Sequence, residues 1–237
     1  MNIILFEKGE SFFPSGDERY QHIKKVLRLG AGDSFRGGIV NGMAGTAHID
    51  SMDGKGIHFS FSAEEDASML YPLTLIVAQV RPICMRRILR EAVSLGVSKL
   101  ILPVTDLGEK SYLSASLYTE GEYRKILLDG AMQSGKTGVS ETVLVKNVEE
   151  AVRYSDGDVS ILLDNVLPSA PLSSMDLAGK RITLAIGPER GWSDRERNVF
   201  LSSSFRPASL GDRILRTETA AVSSVAIALA GMRSREE

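Results

Sequence analysis

A single cysteine, Cys84, in 237 residues excludes an intramolecular disulfide. The three histidines, His22, His48 and His58, stand at no metal-ligand spacing to it or to one another, so no zinc site is expected. No apolar run approaches the roughly 20 residues of a membrane span. The opening stretch Met1-Asn2-Ile3-Ile4-Leu5-Phe6-Glu7 has neither the basic start nor the long apolar core of a leader. A cytoplasmic protein is expected. Excess charge is also lacking, since a net charge of −2 argues against a protein that coats nucleic acid, although it permits a local basic patch.

What is present is an ordinary globular composition, 43% hydrophobic and 24% charged, long enough for a small domain joined to a larger one. Between Asp17 and Arg36 five basic residues (Arg19, Lys24, Lys25, Arg28, Arg36) face three acidic ones, which marks a candidate RNA face or a solvated surface. Up to about residue 70 the pattern is one of short strands: Ile3–Phe6, Phe35–Val40, Gly45–Ile49 and Ile57–Phe61. Turn signals at Gly30–Asp33, Asn41-Gly42 and Asp53-Gly54 punctuate them, and one short helix spans Asp17 to Leu29. This predicts a small antiparallel barrel.

From Tyr71 the pattern becomes α/β. Apolar strands are expected at Leu73–Ala78, Leu100–Val104, Val143–Val145, Ser160–Leu163 and Ile182–Ile186, several of them separated by helical stretches. The helix from Pro82 to about Leu95 has the stripe Ile88, Leu89, Ala92 and Leu95, with Arg86, Arg87 and Arg90 on another face. The expected architecture is a mostly parallel sheet over residues 71–237.

Gly130-Ala131-Met132-Gln133-Ser134-Gly135-Lys136-Thr137 satisfies the P-loop expression, and Ile161-Leu162-Leu163-Asp164 resembles its magnesium-holding strand. A P-loop needs a strand before it and a helix beginning at its Gly-Lys-Thr. Here the flanks are reversed, with helix-like Glu122–Ala131 before and strand-like Glu141–Val145 after. An NTPase is the rival reading, and the flanks disfavour it.

Two C-terminal segments carry chemistry. Strand Ile182–Ile186 runs into Gly187-Pro188-Glu189-Arg190-Gly191-Trp192, and Ser193 with Glu196 has capping-box spacing, so a helix should start there behind a glycine-bearing loop. Such strand-end crevices bind ligands in α/β sheets. Leu210-Gly211-Asp212-Arg213-Ile214-Leu215-Arg216-Thr217-Glu218-Thr219-Ala220 follows. Thr217 is the expected N-cap of a last helix rich in small residues, running to Ala230 and stopped by Gly231.

Ile186-Gly187-Pro188-Glu189 followed by Leu210-Gly211 and Ile214–Ala220 resembles the SPOUT-class methyltransferases of the ribosomal RNA small subunit methyltransferase E family, which methylate uridine N3 in 16S ribosomal RNA. His22–Arg28 and Leu95-Gly96-Val97 with Ile101 and Pro103 are similar to further blocks of that family, in the same order. The resemblance implies a PUA-like β-barrel RNA-binding domain over residues 1–70 and a trefoil-knotted methyltransferase domain over 71–237, assembled as a homodimer. It implies S-adenosylmethionine held by Ile186, Gly187, Pro188, Gly191, Leu210, Gly211, Ile214 and Leu215. Arg216, Glu218 and then Glu189 become the catalytic candidates, because an imide nitrogen must lose a proton and its developing anion must be stabilised. Lys24, Lys25, Arg28, Arg86, Arg87, Arg90, Gln133 and Lys136 become candidates for contact with ribosomal RNA or the small ribosomal subunit.

The chain departs from the family pattern at several places. Arg190 stands where a second glycine is usual, which would bring a bulky cation near the cofactor pocket. Glu91, Ser94 and Met132 replace the usual lysine, glutamate and glutamate. Lys136 replaces an arginine, keeping the charge without the bidentate fork.

Overall fold

The computed structural model describes residues 2–167 and 170–233. It divides into two compact units, one formed by Met1–Met69 with Leu128–Val139, the other by Leu70–Leu127 with Ser140–Glu237. One boundary between the units lies at Met69/Leu70, beside the change in sequence pattern at Tyr71. The return of Leu128–Val139 to the first unit does not follow from that pattern.

In the first unit β1 (Ile4–Phe6), β2 (Phe12–Pro14), β3 (Ser34–Ile39), β4 (Met43–Met52) and β5 (Gly56–Asp66) form one sheet in the order β1-β3-β4-β5-β2. Three of its pairings are antiparallel and β1 pairs β3 in parallel. Alternate residues turn inward, Ala47, Ile49, Ile57 and Phe59 among them, to meet Phe6, Phe13 and Phe35 in an aromatic core. α1 (Glu18–His22), capped by the Asp17 carboxylate, runs into a π-helical turn over Ile23–Leu27 that ends at Arg28 with φ of 58°. The expected single helix is therefore two kinds of turn, and the second turns Lys24, Lys25, Val26 and Arg28 outward.

Leu128–Val139 is stitched to this sheet. Thr137 is fully buried, donates its hydroxyl to Gly42 O at 2.6 Å and its N–H to Ala67 O at 3.1 Å. Its methyl packs where a Cβ on Gly38 would come within 2.6 Å, so glycine is required there for close approach. The P-loop resemblance is accordingly overturned on geometry. Helix α4 (Tyr123–Ser134) precedes Gly135-Lys136-Thr137 and a strand, β8 (Glu141–Val145), follows it, so no helix N-terminus faces outward to cradle phosphate.

The second unit is built on seven parallel strands in the order β10-β12-β9-β11-β6-β7-β8. They are β6 (Tyr71–Val77), β7 (Val97–Pro103), β8, β9 (Val159–Leu163), β10 (Ala170–Pro171), β11 (Ile182–Ile186) and β12 (Arg206–Ser209). β11 is buried at all five residues, as a strand covered on both faces should be. α2 (Pro82–Ser94) begins at Pro82 as expected and buries Ile88, Leu89 and Ala92. Leu95 is its C-cap and only half-buried, the inward position being filled by Val93. α3 (Ser116–Thr119) and α5 (Val148–Arg153) are short, whereas α6 (Asp194–Ser202) starts on the expected capping box of Ser193 and Glu196.

α7 (Thr217–Arg233) differs from expectation at both ends. Ala220 N–H already bonds Arg216 O at 2.8 Å, so Thr217 is a helical residue, and its hydroxyl donates to Gly187 O at 3.4 Å instead of capping. Gly231 lies inside the helix, against Leu177, and does not stop it.

Candidate active site

Because β12, β9 and β11 are parallel neighbours, their C-terminal ends open on one edge of the sheet. The loops leaving them enclose a cavity of about 130 Å³. Leu163, Asp164 and Asn165 form the first wall. Gly187, Pro188, Glu189, Gly191 and Trp192 form the second. The third is Ala208–Gly211 with Arg213, Ile214 and Leu215, closed below by Thr217 and Ala220 of α7. Seven of the eight residues expected to hold the cofactor line this space. Ile186 does not line it, since it is the last residue of β11 and is buried in the sheet.

The walls owe their shape to local and tertiary restraints. Gly191 closes a turn on Pro188 O at 2.9 Å with φ of 72°, and a Cβ on Gly187 would press on Trp192 N at 3.2 Å. Trp192 is buried against Phe200 and fastens the loop to the core. Glu196, fully buried, completes the capping box and also accepts the N–H of Asp106 at 2.9 Å, which ties the loop after β7 to the start of α6. Gly211 has φ of 118°, with open space where a side chain would stand.

Arg190 is exposed, stands between the cavity-lining Glu189 and Gly191, and is not itself part of the wall. Its backbone φ is not in the left-handed region, so this position places no demand for glycine.

Of the catalytic candidates, Arg216 is exposed and sits where the third wall enters α7. Glu218, in the first turn of α7, lies 4.0 Å from Arg87 of α2 and is largely buried. Glu189 lines the cavity and lies 3.5 Å from the backbone N of Arg81, at the start of α2. The two carboxylates share a neighbourhood with Cys84 and Tyr118. Burial pushes the Cys84 thiol up, and its hydrogen bond to Glu218 and the charge of Glu189 push it further. Burial and then Glu189 likewise raise the phenol of Tyr118, which donates to Val80 O at 2.6 Å.

The expected RNA-contact residues fall in both units. Lys24, Lys25, Arg28, Gln133 and Lys136 are exposed on the first, with Lys24 reaching the Tyr20 hydroxyl at 3.1 Å. Arg86, Arg87 and Arg90 are on α2 in the second, where Arg86 is paired with Glu122 and Arg87 with Glu218. Among the described residues no group of three His, Cys, Asp or Glu side chains is placed to hold a metal ion.

Sequence reading missed the whole first wall, together with Ser209, Arg213 and the polar backing of Arg197. Asp164 does stand at the end of an apolar strand, a usable signal, but only the strand order shows that β9 lies between β12 and β11.

The RNA methyltransferase domain family matches residues 67–229, the stretch that holds the parallel sheet and the glycine-lined cavity at its strand ends. The chain is 38% identical to ribosomal RNA small subunit methyltransferase E of Treponema pallidum (strain Nichols), over 97% of this chain and 91% of that protein. It is 30% identical to ribosomal RNA small subunit methyltransferase E 1 of Borreliella burgdorferi, over 94% and 95%. The crystal structure of ribosomal RNA small subunit methyltransferase E from Neisseria gonorrhoeae bound to S-adenosyl methionine shares the fold, with a TM-score of 0.83 at 20% identity over 98% of both chains. The chain belongs to the ribosomal RNA small subunit methyltransferase E family.

Proposed function

We propose that the protein transfers a methyl group from S-adenosylmethionine to N3 of a uridine in 16S ribosomal RNA, working in the cytoplasm as a homodimer. The observation that carries this reading is the cavity built by Gly187–Trp192 and Leu210–Leu215 at the ends of β11 and β12, in a chain whose full-length relatives are small-subunit RNA methyltransferases.

The residues fit the cofactor. Leu163, Pro188, Leu210, Ile214 and Leu215 offer apolar surface to a purine, the loop backbones offer donors and acceptors to its edge, and Glu189 puts a carboxylate beside a cationic ligand. Ile214 is 84% exposed at the rim, apolar surface that a ligand or a second subunit would cover. The bound cofactor supplies an electrophilic methyl group. The chain's own part is to hold the base in line and manage one proton. Arg216, exposed beside the cavity, is the residue proposed to stabilise negative charge developing on the uracil carbonyls. Glu218 or Glu189 accepts the N3 proton or orients the arginine. A base must leave its stack to reach such a cavity, so a loop or single-stranded target is favoured.

The family reading further assigns the first unit as a PUA-like barrel that grips RNA through Lys24, Lys25, Arg28, Gln133 and Lys136. It assigns Arg86, Arg87 and Arg90 to phosphate contact, and the loops around the cavity to a trefoil knot. The domain division becomes 1–70 and 71–237, amended by the membership of Leu128–Val139 in the first unit.

The test is methyl transfer from labelled S-adenosylmethionine to 16S RNA and to assembled small subunits, with the product nucleoside identified by mass spectrometry. The expected product is N3-methyluridine. Cofactor binding with no methyl transfer to either substrate, or label on a different nucleoside, overturns the assignment.

A further inference from the structure

Asp164 is the middle residue of the first wall of the cavity and is bonded toward both of the others. Its N–H donates to Ala208 O at 3.3 Å, at the end of β12 where the third wall begins. Its carboxylate accepts Arg197 Nε at 2.5 Å and the N–H of Val166 at 2.8 Å. Arg197 belongs to α6, directly behind the second wall, and its Nη1 donates to Asp194 Oδ1 at 2.9 Å. Its Nη2 lies 3.7 Å from the place a Cβ on Gly191 would occupy, so the guanidinium backs the turn that forms the second wall.

The side chains of Asp164 and Arg197 are 2% and 11% exposed. The Asp164 hydrogen bond, despite partial burial, holds the guanidinium above the usual arginine range. A pair so withdrawn from water adds little net stability, because desolvation offsets the attraction, but removing one partner strands the other. What the planar fork does well is fix distance and angle. Neither residue belongs to the apolar core; Asp164 lines the cavity and Arg197 stands behind its second wall.

Resting on the assignment of this cavity to S-adenosylmethionine, we propose that the Asp164–Arg197 pair is a positioning device. It sets the separation of the first and second walls and thereby the affinity for the cofactor. Arg197 acts on the ligand only through the turn at Gly191 and through Asp164.

The experiment is calorimetric titration of the full chain with S-adenosylmethionine, for wild type, Arg197→Lys, Arg197→Gln, Asp164→Asn and the Asp164→Asn/Arg197→Gln double variant. Thermal midpoints and binding of a small-subunit RNA fragment are followed in parallel. The expected result is a loss of cofactor affinity of about tenfold or more in each single neutral variant, no further loss in the double, and partial recovery in Arg197→Lys, with RNA binding unchanged. Asp194→Ala, which touches only the outer end of the guanidinium, should bind cofactor like wild type. Wild-type affinity in folded Arg197→Lys and Asp164→Asn overturns the proposal, as do losses that add in the double variant. Arg197→Lys decides the matter alone if the neutral variants do not fold. A wild-type chain that binds no cofactor is a separate outcome, which overturns the assignment of the cavity and this inference with it.

Discussion

The carboxylate of Glu196 accepts the backbone N–H of Asp106 at 2.9 Å while its other oxygen accepts the N–H of Ser193 at 2.8 Å. One fully buried side chain therefore starts α6 and anchors the loop that follows β7. Glu196→Ala should cost about 1–3 kcal/mol, as expected when the part-buried N–H groups of Asp106 and Ser193 lose their acceptor. Chemical denaturation measures it. Glu196→Gln keeps one accepting oxygen but sets its NH2 against the other N–H, so only one of the two hydrogen bonds should be retained.

Thr137→Val removes the hydroxyl that donates to Gly42 O and leaves that carbonyl without its partner, so a loss of about 1–2 kcal/mol is expected. Lys136 is exposed, and Lys136→Ala should leave stability within about 0.5 kcal/mol of wild type. Titration with ATP and magnesium should show no binding to the wild-type chain. Binding abolished by Lys136→Ala would contradict the structural role given to this segment.

Arg216→Ala should lower kcat by about a hundredfold or more, as expected for loss of a charge that stabilises a developing anion. The affinity for S-adenosylmethionine should stay within about twofold, because Arg216 is exposed and does not line the cavity proposed for the cofactor. Single-turnover methyl transfer alongside calorimetry separates the two effects. A variant that loses cofactor affinity in proportion to rate would place Arg216 in the cofactor wall instead.

Cys84 reports on the carboxylates beside it. With its thiol raised by burial and by Glu218, alkylation by iodoacetamide at pH 8 should be slow. Glu218→Gln should lower the thiol's pKa and speed the reaction, and bound cofactor should change the rate if Glu189 and Glu218 meet the substrate side of the cavity.

Asp17 provides a pH test in the first unit. The hydrogen bond from Arg19 holds its carboxyl below the ordinary value of 3.8. The folded value is thus lower than the unfolded one, so the contribution to stability is fully present above the unfolded value and is lost as pH falls through the folded value. Asp17→Asn keeps a cap for α1 but removes the charge. The stability gap between wild type and Asp17→Asn should be constant above about pH 5 and shrink in more acid solution.

What the sequence revealed divides along the range of the forces involved. Ser193 with Glu196, Pro82 at the start of α2 and the apolar run Ile182–Ile186 are local signals, and each element stands where it was expected. Thr217 and Gly231 carry equally good local signals that tertiary contacts override: Gly187 O takes the Thr217 hydroxyl, and α7 continues through Gly231 along Leu177. Phe12–Pro14 is too short for an alternating pattern and is a strand only because β5 pairs with it. The loop after Ile186 is marked in the sequence by Gly187 and Gly191, whereas its pairing with Leu210–Leu215 came from the family resemblance. The first wall at Asp164 carries no such mark, and its membership depends on β9 lying between β12 and β11. The role of Leu128–Val139 is equally hidden, since its contacts are with residues nearly a hundred positions away, such as Thr137 with Gly42.

That last segment bears on how the chain is made. The first unit holds a strand of sequence from beyond residue 127, and Gly38, Asn41, Gly42 and Ala67 all have partners in it. During vectorial synthesis, residues up to Met69 emerge with that seam still open. They stay unfinished while the ribosome adds roughly seventy more residues, a wait of some seconds at ordinary elongation rates. A fragment cut at residue 70 would keep the seam open permanently, so a version of the first unit meant to stand alone should carry Leu128–Val139 grafted to its end.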